Sequence, residues 1–160
     1  MANDAPYPNV KVAVALIQRD GRFLTVYNPK WMAFTFAMTK LREWSDPETP
    51  PIKREESWDF AAARAAAEVL GRTITDLTFA FDYPEYRQSD REGVVRRYRF
   101  QVFSTAAKKD NALVPGTVFE WLTAEEILDK KRMPISPTAQ ELIRQLGGAH
   151  DPNPMLKKKT

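Results

Sequence analysis

EESWDFAAARAAAEVLG, residues 55–71, reads as one helix with a defined start and stop. Ser57 suits the N-cap, because its hydroxyl can accept a bond from a backbone N–H left free in the first turn. Asp59 adds negative charge where the helix dipole favours it. The alanines that follow are the strongest helix formers. Gly71 supplies the left-handed residue that closes a helix. What the chain can do depends on which carboxylates this helix carries and which it lacks.

Upstream, residues 10–18 (VKVAVALIQ) have the alternation of a strand. Val10, Val12, Val14 and Leu16 lie on one side, with Ala13, Ala15 and Ile17 on the other, so both faces are expected to be covered. Asp20-Gly21 signals a hairpin, with residues 22–28 as the return strand. Residues 29–38 carry Trp31, Met32, Phe34, Phe36 and Met38. Core packing is one reading of these, and an apolar wall for a flat ligand such as a base is the other. Residues 36–42 suit a short third strand. Residues 44–54 (WSDPETPPIKR) contain three prolines and read as a long loop of a kind that often carries function.

Downstream, alternation at Leu77, Phe79, Phe81 and Tyr83 predicts a strand over 73–83, followed by a polar loop over 84–93. Residues 94–104 predict another strand, with Tyr98, Phe100 and Val102 on one face and Arg97, Arg99 and Gln101 on the other. Those arginines suit a solvated surface, or phosphates gripped by guanidinium forks. A short strand over 118–122 follows. Thr123 and Glu126 then fit a capping box for a short helix that Pro134 ends. Ser136 and Pro137 open a last helix, which Gly147-Gly148 is expected to close. The division is a lead-in over 1–9, a single domain over 10–148 and a flexible basic tail over 149–160. This element order predicts an α/β (α+β) fold with a mixed sheet between helices.

The 160-residue chain has no cysteine and one histidine, His150. Thiol chemistry, zinc–thiolate sites and a histidine-based triad are thereby excluded, and any metal must be held by oxygen ligands. The formal charge of +3 is partly the Lys157-Lys158-Lys159 run, which reads as a solvated tail rather than a nucleic-acid arm. No stretch is apolar enough to span a membrane. The first residues lack the pattern of a signal peptide, so a cytoplasmic location is expected.

The segment Glu56 to Gly71 resembles the signature of the Nudix (MutT-like) hydrolase superfamily, G-x5-E-x7-R-E-U-x-E-E-x-G-U, where U is apolar. Glu56 falls on the first glutamate, Arg64 on the arginine, Glu68 on the first of the paired glutamates and Gly71 on the closing glycine. The opening hairpin, VFEWLTAEEI and ISPTAQELIRQL are also similar to family elements. The resemblance implies an α/β/α sandwich and a metal-dependent pyrophosphohydrolase site. Four positions depart from it. Ala65 and Val69 stand where the family has glutamates, Arg72 replaces the last apolar residue, and Pro50 falls on the first glycine. FAMTKLRE offers another alignment of the glycine pair and its following acid, Glu43.

Residues 65, 68 and 69 share one helix face, and here that face reads Ala, Glu, Val. One carboxylate is a weak site for a hard cation that takes about six oxygen ligands. The resemblance therefore implies three readings. In the first, the chain binds a nucleotide or nucleoside-diphosphate-linked ligand, with hydrolysis weakened or lost. Trp31, Phe34, Phe36, Lys40, Arg97 and Arg99 would then contact the ligand. In the second, it is a divergent hydrolase using magnesium or manganese, with Glu68, Glu56 and Arg64 as catalytic residues and Glu68 and Glu56 as metal ligands. Glu43, Glu55, Glu85, Glu92 or Glu120 would supply further acids. In the third, it is a non-catalytic module that binds a protein partner through residues 44–54. A homodimer is compatible with all three, whereas neither a membrane nor a specific nucleic acid is an expected partner. Arg64 and Glu68 also suit a plain i, i+4 ion pair.

Overall fold

The computed structural model describes residues 10–89, 93, 95–108, 113–129 and 133–150. Strand β1 (Val10–Arg19) turns through Asp20-Gly21 into β2 (Arg22–Asn28). Both turn residues have positive φ, 53° and 75°, as a tight hairpin of this hand requires. The two strands pair only beside the turn, at Gln18↔Phe23 and Arg19↔Arg22. Beyond it they diverge, and two short strands fill the wedge. Of these, β3 (Ala33–Thr35) pairs with the end of β2, and β4 (Ala37–Lys40) pairs with the start of β1. The third strand expected over 36–42 is β4, and β3, on the other side of Phe36, is a strand the sequence reading did not include.

Strand β8 (Val95–Ala106) runs parallel to β1 along its other edge, and β7 (Thr78–Ser89) lies antiparallel outside β8. Strand β9 (Phe119–Leu122) pairs antiparallel with β2 and completes a seven-stranded mixed sheet. The helix expected at 55–71 is α1 (Trp58–Leu70). The Ser57 hydroxyl accepts from the Phe60 N–H at 3.4 Å, and Gly71 caps the other end with φ of 71°. Ala61, Ala62, Ala65 and Ala66 are buried against the sheet. They pack with the small residues of one β1 face, Ala13 and Ala15. Small side chains on both partners allow a close approach of helix and sheet, so the alanines serve packing as well as helix propensity.

The opposite face of β1, Val12, Val14 and Leu16, packs under α2 (Ala124–Leu128) and α3 (Pro137–His150) through Ile127, Leu142 and Ile143. Both faces of β1 are therefore covered, and the sheet lies between helices in an α/β/α sandwich, as expected from the alternation. The capping box of α2 is formed, with Thr123 and Glu126 bonded reciprocally.

Three boundaries differ from the sequence reading. Residues 44–54 are not a loop. They form a separate hairpin of β5 (Glu43–Asp46) and β6 (Ile52–Glu55). The prolines fall between the two strands, where no ladder N–H is needed. The strand expected over 73–83 begins later and runs on to Ser89, through Pro84. Pro84 sits in a register shift between Tyr83 and Tyr86, and irregular edge strands tolerate proline. Helix α3 continues past Gly147-Gly148 to His150, because glycine lowers helix propensity by only about 1 kcal/mol and does not block the helix as proline does. The lead-in and residues 151–160 of the tail lie outside the described residues.

Candidate functional site

The wedge between β1 and β2 positions the site. Its first component is a buried ion pair. Glu56 is 7% exposed and sits just before α1. Arg64, two turns into the helix, reaches back to it. Its Nε donates to Glu56 Oε2 at 3.0 Å and its Nη2 donates to Oε1 at 2.8 Å. The Arg42 backbone N–H donates to the same Oε1 at 3.0 Å. Arg64 also donates to Thr39 Oγ1 and to the Lys40 carbonyl. The Arg64 hydrogen bond holds the Glu56 carboxyl below the usual carboxylate range. It prevails over burial, which acts the other way, and the Arg42 N–H assists it. Arg64 thus ties the helix to the end of β4 and to the base of the β5–β6 hairpin. Its main partner is Glu56 rather than the Glu68 suggested by i, i+4 spacing, since Glu68 Oε2 lies 3.8 Å from Nη1 and its side chain is 62% exposed.

The second component is the helix face at 65, 68 and 69. It borders a cleft of about 420 Å³ between α1 and the wedge strands, lined by Val26, Ala37, Met38, Ala65, Glu68 and Val69 among others. Ala65 is 2% exposed and belongs to the core. Glu68 is the one carboxylate among the residues lining this cleft. Both Glu56 oxygens are engaged by Arg64. Among the described residues no three acidic or histidine side chains converge. A magnesium or manganese ion with about six oxygen ligands would find one protein carboxylate lining this cleft, and its other ligands would be waters and substrate phosphates. Of the reserve acids, Glu43 and Glu55 sit opposite each other at the base of the β5–β6 hairpin, away from Glu85 and Glu120. Glu55 pairs with Lys11 and Glu85 with Arg87. Glu43 lies on the hairpin and Glu120 on β9, and Glu92 is outside the described residues.

The third component is a cleft on the other face of the sheet, also about 420 Å³, lined by Lys30, Trp31, Lys40, Tyr98, Phe100 and Thr138 among others. Two of the expected ligand contacts, Trp31 and Lys40, are brought together here. Four are not. Phe36 is 1% exposed and packs edge-on against Phe23, so its ring is core. Phe34 packs against Tyr27. Arg97 and Arg99 lie on the α1 face of β8, opposite Tyr98 and Phe100. Arg99 pairs with Asp82 and lies 5.6 Å over the Trp58 ring, and Arg97 faces Glu85. Both are partly exposed and face acidic residues of β7 rather than the cleft.

The sequence pattern did not mark Lys30, Tyr98 or Thr138. Lys30 beside Trp31 was a legible cue, a cation next to an aromatic in a turn. Tyr98 was placed on one face of its strand with Phe100 and Val102 and given no part in a site. Thr138 reaches the cleft only because α3 packs over this face, and no local signal announces that. The two clefts share Asn28, Lys30 and Met38.

These elements are a split β1–β2 hairpin, a mixed sheet and a helix whose arginine is clamped to a preceding glutamate. Solved structures of Nudix proteins match this chain over most of its length, which gives it the Nudix fold. The MutT Nudix hydrolase of Burkholderia pseudomallei aligns with 87% of this chain and 98% of its own, at a TM-score of 0.60 and 18% identity. The MutT protein of Methanosarcina mazei aligns over 87% and 93%, at 0.60 and 18%. The Nudix domain of Shewanella oneidensis NrtR, solved with ADP-ribose, aligns over 89% and 88%, at 0.56 and 13%. At these identities the likeness establishes the fold. No protein-family model matches the chain, and no curated protein matches it by sequence. No helix among the described residues is long and apolar enough to cross a membrane.

Proposed function

We propose that this Nudix-fold chain binds a nucleotide or nucleoside-diphosphate-linked ligand, and that metal-dependent pyrophosphate hydrolysis is weakened or lost. One observation carries the reading. The helix face that borders the site offers Ala65, Glu68 and Val69, while the adjoining cleft is lined by Trp31, Tyr98, Lys30 and Lys40. Aromatic faces suit a base, and ammonium groups suit phosphate oxygens. The Shewanella neighbour with bound ADP-ribose supports the ligand class.

Calorimetry with ADP-ribose, in EDTA and then in magnesium, tests the proposal. Binding should be equal within about twofold in the two buffers, because a tenfold difference would need about 1.4 kcal/mol from the metal. Neither AMP nor ribose 5-phosphate, the products of cleaving the pyrophosphate bond, should form in either. Magnesium-dependent cleavage that disappears in Glu68→Gln would overturn the reading in favour of a divergent hydrolase.

A second reading, a protein-interaction module, draws on the β5–β6 hairpin. Trp44 is 50% exposed and Ile52 43% exposed there, and a two-stranded hairpin has little stability of its own. A pull-down partner lost on Trp44→Ala, together with no nucleotide binding, would favour that reading.

A further inference from the structure

The cleft that holds Trp31, Tyr98 and Lys40 is short of hydrogen-bond acceptors. No carboxylate is among the described residues that line it. Lys30, Lys40 and the Trp31 indole N–H can only donate. Four oxygens of the lining residues accept from the protein itself. Asn28 Oδ1 accepts from the Lys30 N–H at 2.9 Å, and the Asn28 carbonyl accepts from the Trp31 N–H at 3.1 Å. Thr39 Oγ1 accepts from Arg64 Nη1 at 3.2 Å, and the Lys40 carbonyl accepts from Arg64 Nη2 at 3.1 Å. The hydroxyls of Tyr98 and Thr138 are the remaining side-chain groups there that can accept.

Asn28 has a fixed orientation. A backbone N–H can only donate, so the amide oxygen must face Lys30 and the NH2 group is turned away from it. Asn28 lines both clefts, at the point where they join. The group it has left for a ligand is a donor. A base stacked on Trp31 or Tyr98 brings carbonyl oxygens and ring nitrogens, which suit Asn28 and the lysines. It also brings N–H groups, and each of these must find a hydroxyl or stay unmet. A buried donor left unmet costs more than a typical hydrogen bond contributes. The bases differ in this respect. Uracil in a nucleotide has one N–H bond beside two carbonyls, cytosine has two N–H bonds, and guanine has three.

We infer that this cleft selects its base by how few N–H groups the base carries, that Asn28 is the residue that sets the preference, and that uracil fits best and guanine worst. This rests on the nucleotide reading above and adds the base to it.

Calorimetry in EDTA with UDP, CDP and GDP tests it, since the three probes share one diphosphate and differ in the base. UDP should bind about tenfold more tightly than GDP, with CDP between them. Asn28→Asp keeps an oxygen for the Lys30 N–H and puts a second oxygen where the NH2 group was. Its added charge acts on the same diphosphate in all three probes, so the ratio between them reports the base. The UDP-to-GDP affinity ratio should fall by about fivefold or more in this variant. A role confined to holding the turn would leave that ratio unchanged, and an unchanged ratio would overturn the assignment to Asn28. Wild-type affinities within about twofold of one another, or GDP the tightest, would overturn the inference and leave the nucleotide reading standing, whether or not the variant folds. No binding of any probe would overturn the nucleotide reading itself, and the inference with it.

Discussion

Arg64 holds Glu56 by two parallel hydrogen bonds of 3.0 and 2.8 Å, with the Arg42 N–H on the same carboxylate. The pair joins three segments distant in sequence: the helix, the end of β4 and the base of the β5–β6 hairpin. Two residues that match the signature, Glu56 and Arg64, are thus clasped to each other. The planar guanidinium suits this geometry, since it can serve the carboxylate with two donors and still reach Thr39 Oγ1 and the Lys40 carbonyl.

Removing one partner of this clasp should cost more than removing both. Arg64→Ala leaves a nearly buried carboxylate without its counter-charge and should destabilise the fold by about 3 kcal/mol. Arg64→Lys should recover only part of that, because an ammonium cannot form the fork. In the Arg64→Ala/Glu56→Ala double variant the loss should be smaller than in Arg64→Ala alone, because no unpaired carboxylate is left buried. Urea denaturation of the four proteins measures this directly.

The same pair makes stability depend on acid. The Glu56 carboxyl titrates lower in the folded chain than its ordinary value of 4.5. Its contribution is therefore fully present above that value and is lost as pH falls through the lower, folded-state value. Denaturation midpoints between pH 7 and pH 3 should fall towards the acid end. The fall should be shallower in Glu56→Gln, which has no carboxylate to protonate. An equal slope in both proteins would show that the clasp does not control the acid limb.

Glu68 separates binding from metal chemistry. If Lys30 rather than a cation meets the phosphates, Glu68→Gln should keep ligand affinity or improve it. Two unit charges about 8 Å apart in water repel by roughly 0.5 kcal/mol, which is about twofold in affinity. Titration of ADP-ribose into both proteins gives the comparison. A tenfold loss in the variant would mean that the carboxylate serves the ligand.

Charge on the two faces of the sheet should behave differently. Lys40 lines the cleft beside Trp31, and Lys40→Ala or Trp31→Ala should each weaken nucleotide binding by about tenfold, the effect of losing some 1.4 kcal/mol. Arg99 is paired with Asp82 and stacked near Trp58 on the opposite face. Arg99→Ala should leave affinity within about twofold, with its effect confined to stability, where exposed ion pairs contribute about 1 kcal/mol or less.

Local rules carried the elements a long way. Ser57, the alanines and Gly71 marked α1 to within a residue, because caps and propensity act over one turn. Asp20-Gly21 marked the hairpin, since few residues adopt positive φ. The two-sided apolar pattern of β1 announced a sheet covered on both faces. The hairpin at 43–55 was missed because its strands are exposed throughout and carry no hydrophobic alternation. Phe36 and Trp31 looked alike as bulky residues in one segment, yet one ring is buried and the other is 45% exposed.

The sequence by itself determined that the helix face at 65, 68 and 69 carries one carboxylate, Glu68, because ligating atoms are a property of residue type. It also determined which residues of each strand share a face. Only the tertiary structure decided which face meets the cleft. It placed Arg97 and Arg99 away from the cleft, brought Lys30, Tyr98 and Thr138 to Trp31 and Lys40, and gave Glu56 to Arg64. Those outcomes depend on how β1 and β2 diverge and on where α1 and α3 pack, and such long-range geometry leaves no mark on the spacing of neighbouring residues.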